Sequence, residues 1–167
     1  MKEKTKTLKD IKTLTMVAML VALSAVGALI KVFNTVAFDS MPGYFGALYL
    51  GGWYGAMVIS LGHLLTAITS GFPLGITVHI YISIQMAVYA YLFRFFYQRF
   101  NIYIAVIVGT ILNGPISALL FVPIFGWGFF IGWSLPLTVA SFINIFLASL
   151  IYKGILKIGG GQIDRKI

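Results

Sequence analysis

The sequence predicts an all-α integral membrane protein, a six-helix transmembrane bundle with both termini in the cytoplasm. Three observations carry that reading. The chain is 60% hydrophobic and only 10% charged, with a mean hydropathy of +0.98, whereas soluble domains are about a quarter charged. Residues 40–93 and 100–152 contain no Lys, Arg, Asp or Glu. The basic residues gather at Lys2–Lys12, at Arg94 and Arg99, and near the C-terminus, the distribution expected of cytoplasmic flanks.

The first crossing is placed at 13–31, after the basic opening "MKEKTKTLKDIK". A secretory signal could imitate this pattern, but the apolar run reaches spanning length and the chain that follows is itself membrane-like. Arg94 and Lys2–Lys12 share a side only if an even number of crossings separates them. Residues 32–93 therefore make one crossing or three, and about 60 residues are far too many for one helix across a bilayer. Three fit if some are short, with punctuation supplied by Gly51, Gly52 and Gly55 and by "SGFPLG".

Helix two is accordingly placed at 37–50, helix three at 54–70 and helix four at 76–97. Residues 100–152 hold two more, at 102–122 and 135–156. Outer loops fall near 32–36, 71–75 and 123–134; Lys31, on the outer side, runs against the charge rule. The domain plan is a basic cytoplasmic segment 1–12, a membrane domain 13–156 and a flexible solvated tail 157–167. Every span is expected to be helical because lipid leaves no backbone group unpaired.

Several chemistries are excluded. There is no cysteine, hence no disulfide framework and no thiolate nucleophile or ligand. No G-x-S-x-G, H-E-x-x-H or P-loop is present, nor a pair of membrane acids for general acid/base work. The net charge of +8 does not indicate nucleic acid, because the basic residues do not line one amphipathic face. The chain reads as a binder without its own ATPase, catalytic residues, metal or cofactor.

Candidate binding residues are the polar and aromatic groups of the outer half. Asp39 is the one acid between Asp10 and Asp164; it reads either as a cap before Pro42 or as a ligand contact. His63 reads as a satisfied core histidine and His79 as facing a cavity, and their spacing is not that of a helical metal pair. Gln85, Asn113, Ser117 and Asn144 suit interhelical hydrogen bonds, with Gln85 and Asn113 equally able to read ligand hydroxyls. Trp127 and Trp133 are either an interfacial belt or a stacking platform. Ala18, Ala22 and Ala25 put small residues on one face of helix one, for bundle packing or for docking another membrane subunit.

The stretch "FDSMPGYFGALYLGGWYGAMVISLGHLLTAITSGFPLG", with His79 four positions further on and Ala18-Met-Leu-Val-Ala22 on helix one, resembles the substrate-binding S component of energy-coupling factor (ECF) vitamin transporters. The resemblance covers roughly residues 12–155, and within the family the pattern is most similar to α-ribazole transporters. It implies an S-component-like fold in a prokaryotic plasma membrane and a high-affinity vitamin site at the outer face. It also implies partners: a transmembrane T component docked through helix one at Ala18, Ala22 and Ala25, and two ATPase subunits that use the ATP. ATP-driven rearrangement topples the S component and releases substrate inside. The implied cavity points to Asn34, Asp39, Phe72, His79, Gln85, Asn113, Trp127 and Trp133.

Ligand class can be weighed independently. An anionic vitamin would want arginines or several lysines at the mouth, and only Lys31 is available there; a thiamine-like cation would want an aromatic cage beside Asp39. A neutral aromatic riboside needs stacking surface and neutral donors and acceptors. α-Ribazole, a dimethylbenzimidazole riboside, fits; pantothenate held by Lys31, or a cobalamin precursor, are the alternatives within the class, and a membrane scaffold or intramembrane enzyme is the alternative outside it.

Overall fold

The computed structural model describes residues 2–29, 31–32 and 36–158. Its elements are α1 (Lys2–Gly27), a two-stranded antiparallel ladder β1 (Lys31–Val32) and β2 (Val36–Ala37), α2 (Met41–Tyr49), α3 (Gly52–Thr69), α4 (Ile76–Arg99) and α5 (Ile102–Ile111). A π-helical turn (Leu112–Ile116) follows, then α6 (Ser117–Leu120), α7 (Val122–Phe125) and α8 (Trp127–Ile158). Four stretches are long and apolar enough to cross a membrane: Asp10–Gly27, Ile76–Arg99, Ile102–Phe125 and Trp127–Ile158. This is a multi-pass membrane protein, and its exposed surface carries large apolar side chains such as Leu14, Ile84, Ile107 and Ile131, as a lipid-facing surface requires.

α2 occupies the centre. Every residue from Pro42 to Leu48 is buried, so this helix is apolar all round, as a core helix is. Its nine residues rise only about 14 Å, roughly half the hydrocarbon thickness of a bilayer. Pro42 sits in the first turn, where its missing N–H costs nothing. Close packing on α3 depends on glycine: a Cβ on Gly43 would meet Ile59, and one on Gly55 would meet Ala47. Tyr44 lies edge-on to Phe93 of α4 at 5.2 Å, both with no exposed surface.

Gly51, at φ +114°, makes the turn from α2 into α3 that a side chain would resist. At the end of α2, the buried Arg94 donates from Nη1 to the Leu48 carbonyl at 2.7 Å, placing a cation on the negative end of that helix. α1 presents Val17, Leu20, Ser24 and Ala28 to the bundle, a 3–4 spacing that defines one face. Asn101 caps α5, its side chain accepting from the N–H groups of Tyr103 at 2.9 Å and Ile104 at 3.0 Å.

Three expected boundaries are corrected. The segment 123–134 is not an outer loop: it is helical except near Gly126, and α8 starts at Trp127 and runs through Pro136. A proline there does not end the helix, because neighbouring helices and side chains in a membrane bundle re-satisfy the freed carbonyls. Helix five is not a plain α-helix, since Pro115 opens the π turn, whose Leu112 carbonyl is taken up by Ser117 Oγ at 3.2 Å. Helix one ends at Gly27, and part of the expected loop 32–36 pairs back, Lys31 opposite Ala37 and Val32 opposite Val36.

The glycine contacts give a sharp expectation. Gly55→Val should lower the thermal stability of the purified protein by the equivalent of about 2–3 kcal/mol, the cost of forcing methyl groups into a filled contact. Gly132→Ala, where no atom lies within 4 Å of the new Cβ, should leave the melting temperature unchanged or slightly raised. Equal losses in both would contradict the packing account.

Candidate functional site

One end of the bundle is hollow. The cleft there encloses about 770 Å³ of empty space, counting its open mouth, and draws its walls from the segment before α2, from α3 and α4, from the π turn and α6, and from α8.

One wall is polar. Asp39, 5% exposed, is not a helix cap: Ser40 is the N-cap residue, and no side chain there bonds the first turn. The Asp39 carboxylate instead accepts from Thr66 Oγ1 at 2.6 Å, and His63 Nδ1 lies 3.9 Å from the same oxygen. His63 Nε2 is 3.2 Å from His79 Nδ1. The Asp39 backbone carbonyl accepts from Ser24 Oγ of α1. The N–H of Met41, which a cap would have served, donates to Asn144 Oδ1 of α8 at 2.9 Å.

The opposite wall is aromatic. Phe121, Phe129 and Trp133 line it, with Phe129 bridging the other two at 5.8 and 6.0 Å between centroids. The π turn sets Asn113 beside Ser141 of α8, to which its Nδ2 donates at 2.9 Å. Gly114 permits this approach, because a Cβ there would come within 2.8 Å of Thr138. Two polar groups in the cleft stay unsatisfied: both amide atoms of Gln85, and Nε2 of His79, are buried without a hydrogen-bond partner among the described residues.

Of the expected site residues, the structure brings Asp39, His79, Gln85, Asn113 and Trp133 to this one cleft. Phe72 is not in its lining but sets its ring edge on His79 at 5.8 Å, held there by a positive φ of 52° that a bulky residue seldom adopts. Trp127 is 63% exposed and is not among the residues that line the cleft. Asn34 and the side chain of Lys31 lie outside the described residues. Sequence reasoning missed His63, Phe121 and Phe129 as lining residues. The aromatics carried a signal, since Phe121, Phe125, Phe129 and Trp133 recur every fourth position.

Residues 12–156 match the family described as ECF transporter, substrate-specific component. The chain belongs to that family. The match spans the membrane bundle from α1 to α8 and so includes every wall of the cleft. No curated protein and no solved structure matches the chain. Members of the ECF substrate-specific component family are substrate-binding transport subunits that work with T and ATPase components on a small-molecule substrate. On the opposite side of α1 from Ser24, Ala18 and Ala22 are exposed and Ala25 is half-buried, leaving a face of small residues uncovered by the bundle.

The unsatisfied amide of Gln85 allows a test with an unusual sign. Burying polar atoms without partners costs about 1–3 kcal/mol, so Gln85→Leu should raise the melting temperature of the ligand-free protein. A fall in melting temperature, as for an ordinary core substitution, would mean that Gln85 is bonded in the empty protein.

Proposed function

We propose that this chain is the α-ribazole-binding subunit of an ECF-type importer in a prokaryotic plasma membrane. The observation that carries the proposal is the cleft's combination of an aromatic wall (Phe121, Phe129, Trp133) with unsatisfied neutral groups (Gln85, His79), and with no Lys or Arg among its described lining residues. An aromatic base stacks on the first and a ribose offers hydroxyls to the second. A carboxylate or phosphate would meet Asp39 and no fixed cation.

In this reading His79, Gln85, Asn113 and Trp133 contact the ligand, with Asp39 supporting the polar wall and Phe72 closing over His79. The chain makes six crossings with both termini cytoplasmic, α2 being a short central segment. The exposed alanine face of α1 receives the T component, and two ATPase subunits supply the energy, so the chain itself needs neither cofactor nor catalytic residue.

Isothermal titration of the purified protein in detergent with α-ribazole, cobalamin and pantothenate tests the substrate. One-to-one binding of α-ribazole alone is expected; binding of pantothenate instead would replace the riboside reading with an anion site at Lys31. For the docking face, Ala18→Trp with Ala22→Trp should abolish uptake in cells carrying the whole transporter while leaving ligand affinity within about twofold, because neither side chain faces the cleft. Uptake unchanged by the double substitution would sink the α1 assignment.

A further inference from the structure

Three segments far apart in sequence deliver Asp39, His63 and His79 into a line that ends in the cleft. Thr66 Oγ1 donates to Asp39 Oδ2 at 2.6 Å, His63 Nδ1 faces that oxygen at 3.9 Å, and His63 Nε2 meets His79 Nδ1 at 3.2 Å. The two imidazoles tilt by 31° with centroids 5.3 Å apart. Two of the four ring nitrogens are hydrogen-bonded to each other, and a third, His63 Nδ1, faces the Asp39 carboxylate across 3.9 Å. The fourth, His79 Nε2, is buried without a partner in the cleft wall.

The hydrogen-bond polarity of this line follows from proton counting. Only one proton can lie between His63 Nε2 and His79 Nδ1, and a neutral imidazole carries one N–H and one lone pair. With Asp39 as a carboxylate, its charge favours a proton on the His63 nitrogen that faces it, Nδ1. His63 Nε2 is then a lone pair, and the shared proton must come from His79 Nδ1. That leaves His79 Nε2 as a lone pair in the cleft. No other charged residue competes for this role: the described lining from α4, the π turn, α6 and α8 contributes Gln85, Asn113, Ser117, Ser141 and Asn144, all neutral, and α1 offers Ser24, already bonded to the Asp39 carbonyl.

We infer that Asp39, acting through His63, fixes His79 as a hydrogen-bond acceptor, and that the site selects ligands whose hydroxyl or N–H donates into His79 Nε2 while rejecting a carboxylate or phosphate presented there. The inference rests on the cleft being the ligand site, and deepens that reading by naming the ligand chemistry at one atom. His79 is the contacting residue; Asp39 and His63 are positioning residues, and Asp39 is a specificity determinant without touching the group it selects. The relay costs the empty protein an unsatisfied lone pair at Nε2, which a donor restores.

The chain contains just two histidines, so ¹⁵N-imidazole labelling of the full-length protein in nanodiscs yields four ring nitrogens to read by long-range ¹H–¹⁵N correlation. Near neutral pH both rings are expected as the Nδ1–H tautomer. Asp39→Asn, which removes the charge and keeps the shape, should shift His79 toward a mixture of tautomers although His63 stands between them; a merely local role for Asp39 would move His63 alone. An Nε2–H tautomer at His79 in the unaltered protein would overturn the inference, and that spectrum decides even if the variant does not fold. Titration with α-ribazole should then move the His79 Nε2 resonance, and Asp39→Asn should weaken its binding about tenfold, the worth of one well-formed hydrogen bond. Absence of any α-ribazole binding by the unaltered protein would remove that substrate and leave the tautomers to judge the relay.

Discussion

The fold depends on how the backbone from Phe38 to Met41 is satisfied where no water can serve it. In a bilayer an unpaired carbonyl or N–H costs several kcal/mol, and a chain that leaves a β ladder to begin a short central helix exposes several. Here two of them, and the Asp39 side chain, are answered by three different elements. Ser24 of α1 donates to the Asp39 carbonyl, Asn144 of α8 accepts from Met41 N–H, and Thr66 of α3 takes the Asp39 side chain. Glycine makes the approach possible: a Cβ on Gly27 would strike the Phe38 carbonyl, and one on Gly62 would strike Ser24. Two helices are thereby tied to Asp39, which begins the polar wall of the cleft, and a third to Met41, two residues on.

The same accounting separates structural polar groups from functional ones. Asn144 uses both ends of its amide, accepting from Met41 and donating to the Ala140 carbonyl at 2.9 Å. Arg94 gives Nη1 to the C-terminus of α2 and lies over the Tyr97 ring at 5.5 Å, although its Nε has no partner among the described residues. These residues were bought by the fold. Gln85 and His79 are equally buried, yet their amide and Nε2 atoms have no partner among the described residues, and both line the cleft. Other buried polar atoms also lack partners among the described residues, the Tyr44 hydroxyl and Thr110 Oγ1 among them; what sets Gln85 and His79 apart is that they line the cleft.

Much of this was legible in the sequence because one-dimensional signals caused it. Charge-free intervals placed α4, α5 and α8, and the glycines at 51, 52 and 55 marked the turn into α3, whereas α2, expected from 37, starts at Met41 after the β ladder. The polar candidates converged on one cleft because positions near the same end of successive helices are neighbours in a bundle. What could not be read was register. His63 and His79 are sixteen residues apart, and only the packing of α3 on α4 brings their rings together. Asp39 suited a cap by its place before Pro42, but Thr66 competes for the carboxylate across 27 positions. The stretch 123–134 read as a loop because of its glycines and Pro136; apolar surroundings make continued helix the cheaper state.

The distribution of tight contacts also dictates where binding can be accommodated. Between α1, α2 and α3 the glycine positions are filled by neighbouring atoms with no spare volume, at Gly27, Gly43, Gly55 and Gly62. A close-packed contact of this kind shifts as a body or not at all. Around the mouth the situation is reversed: Gly71, Gly75, Gly126, Gly128 and Gly132 have nothing within 4 Å of where a Cβ would stand. Asp39 thus sits beside the close-packed contacts of α1, α2 and α3, while Phe129 and Trp133 of the aromatic wall lie on the part of α8 where the glycines meet open space.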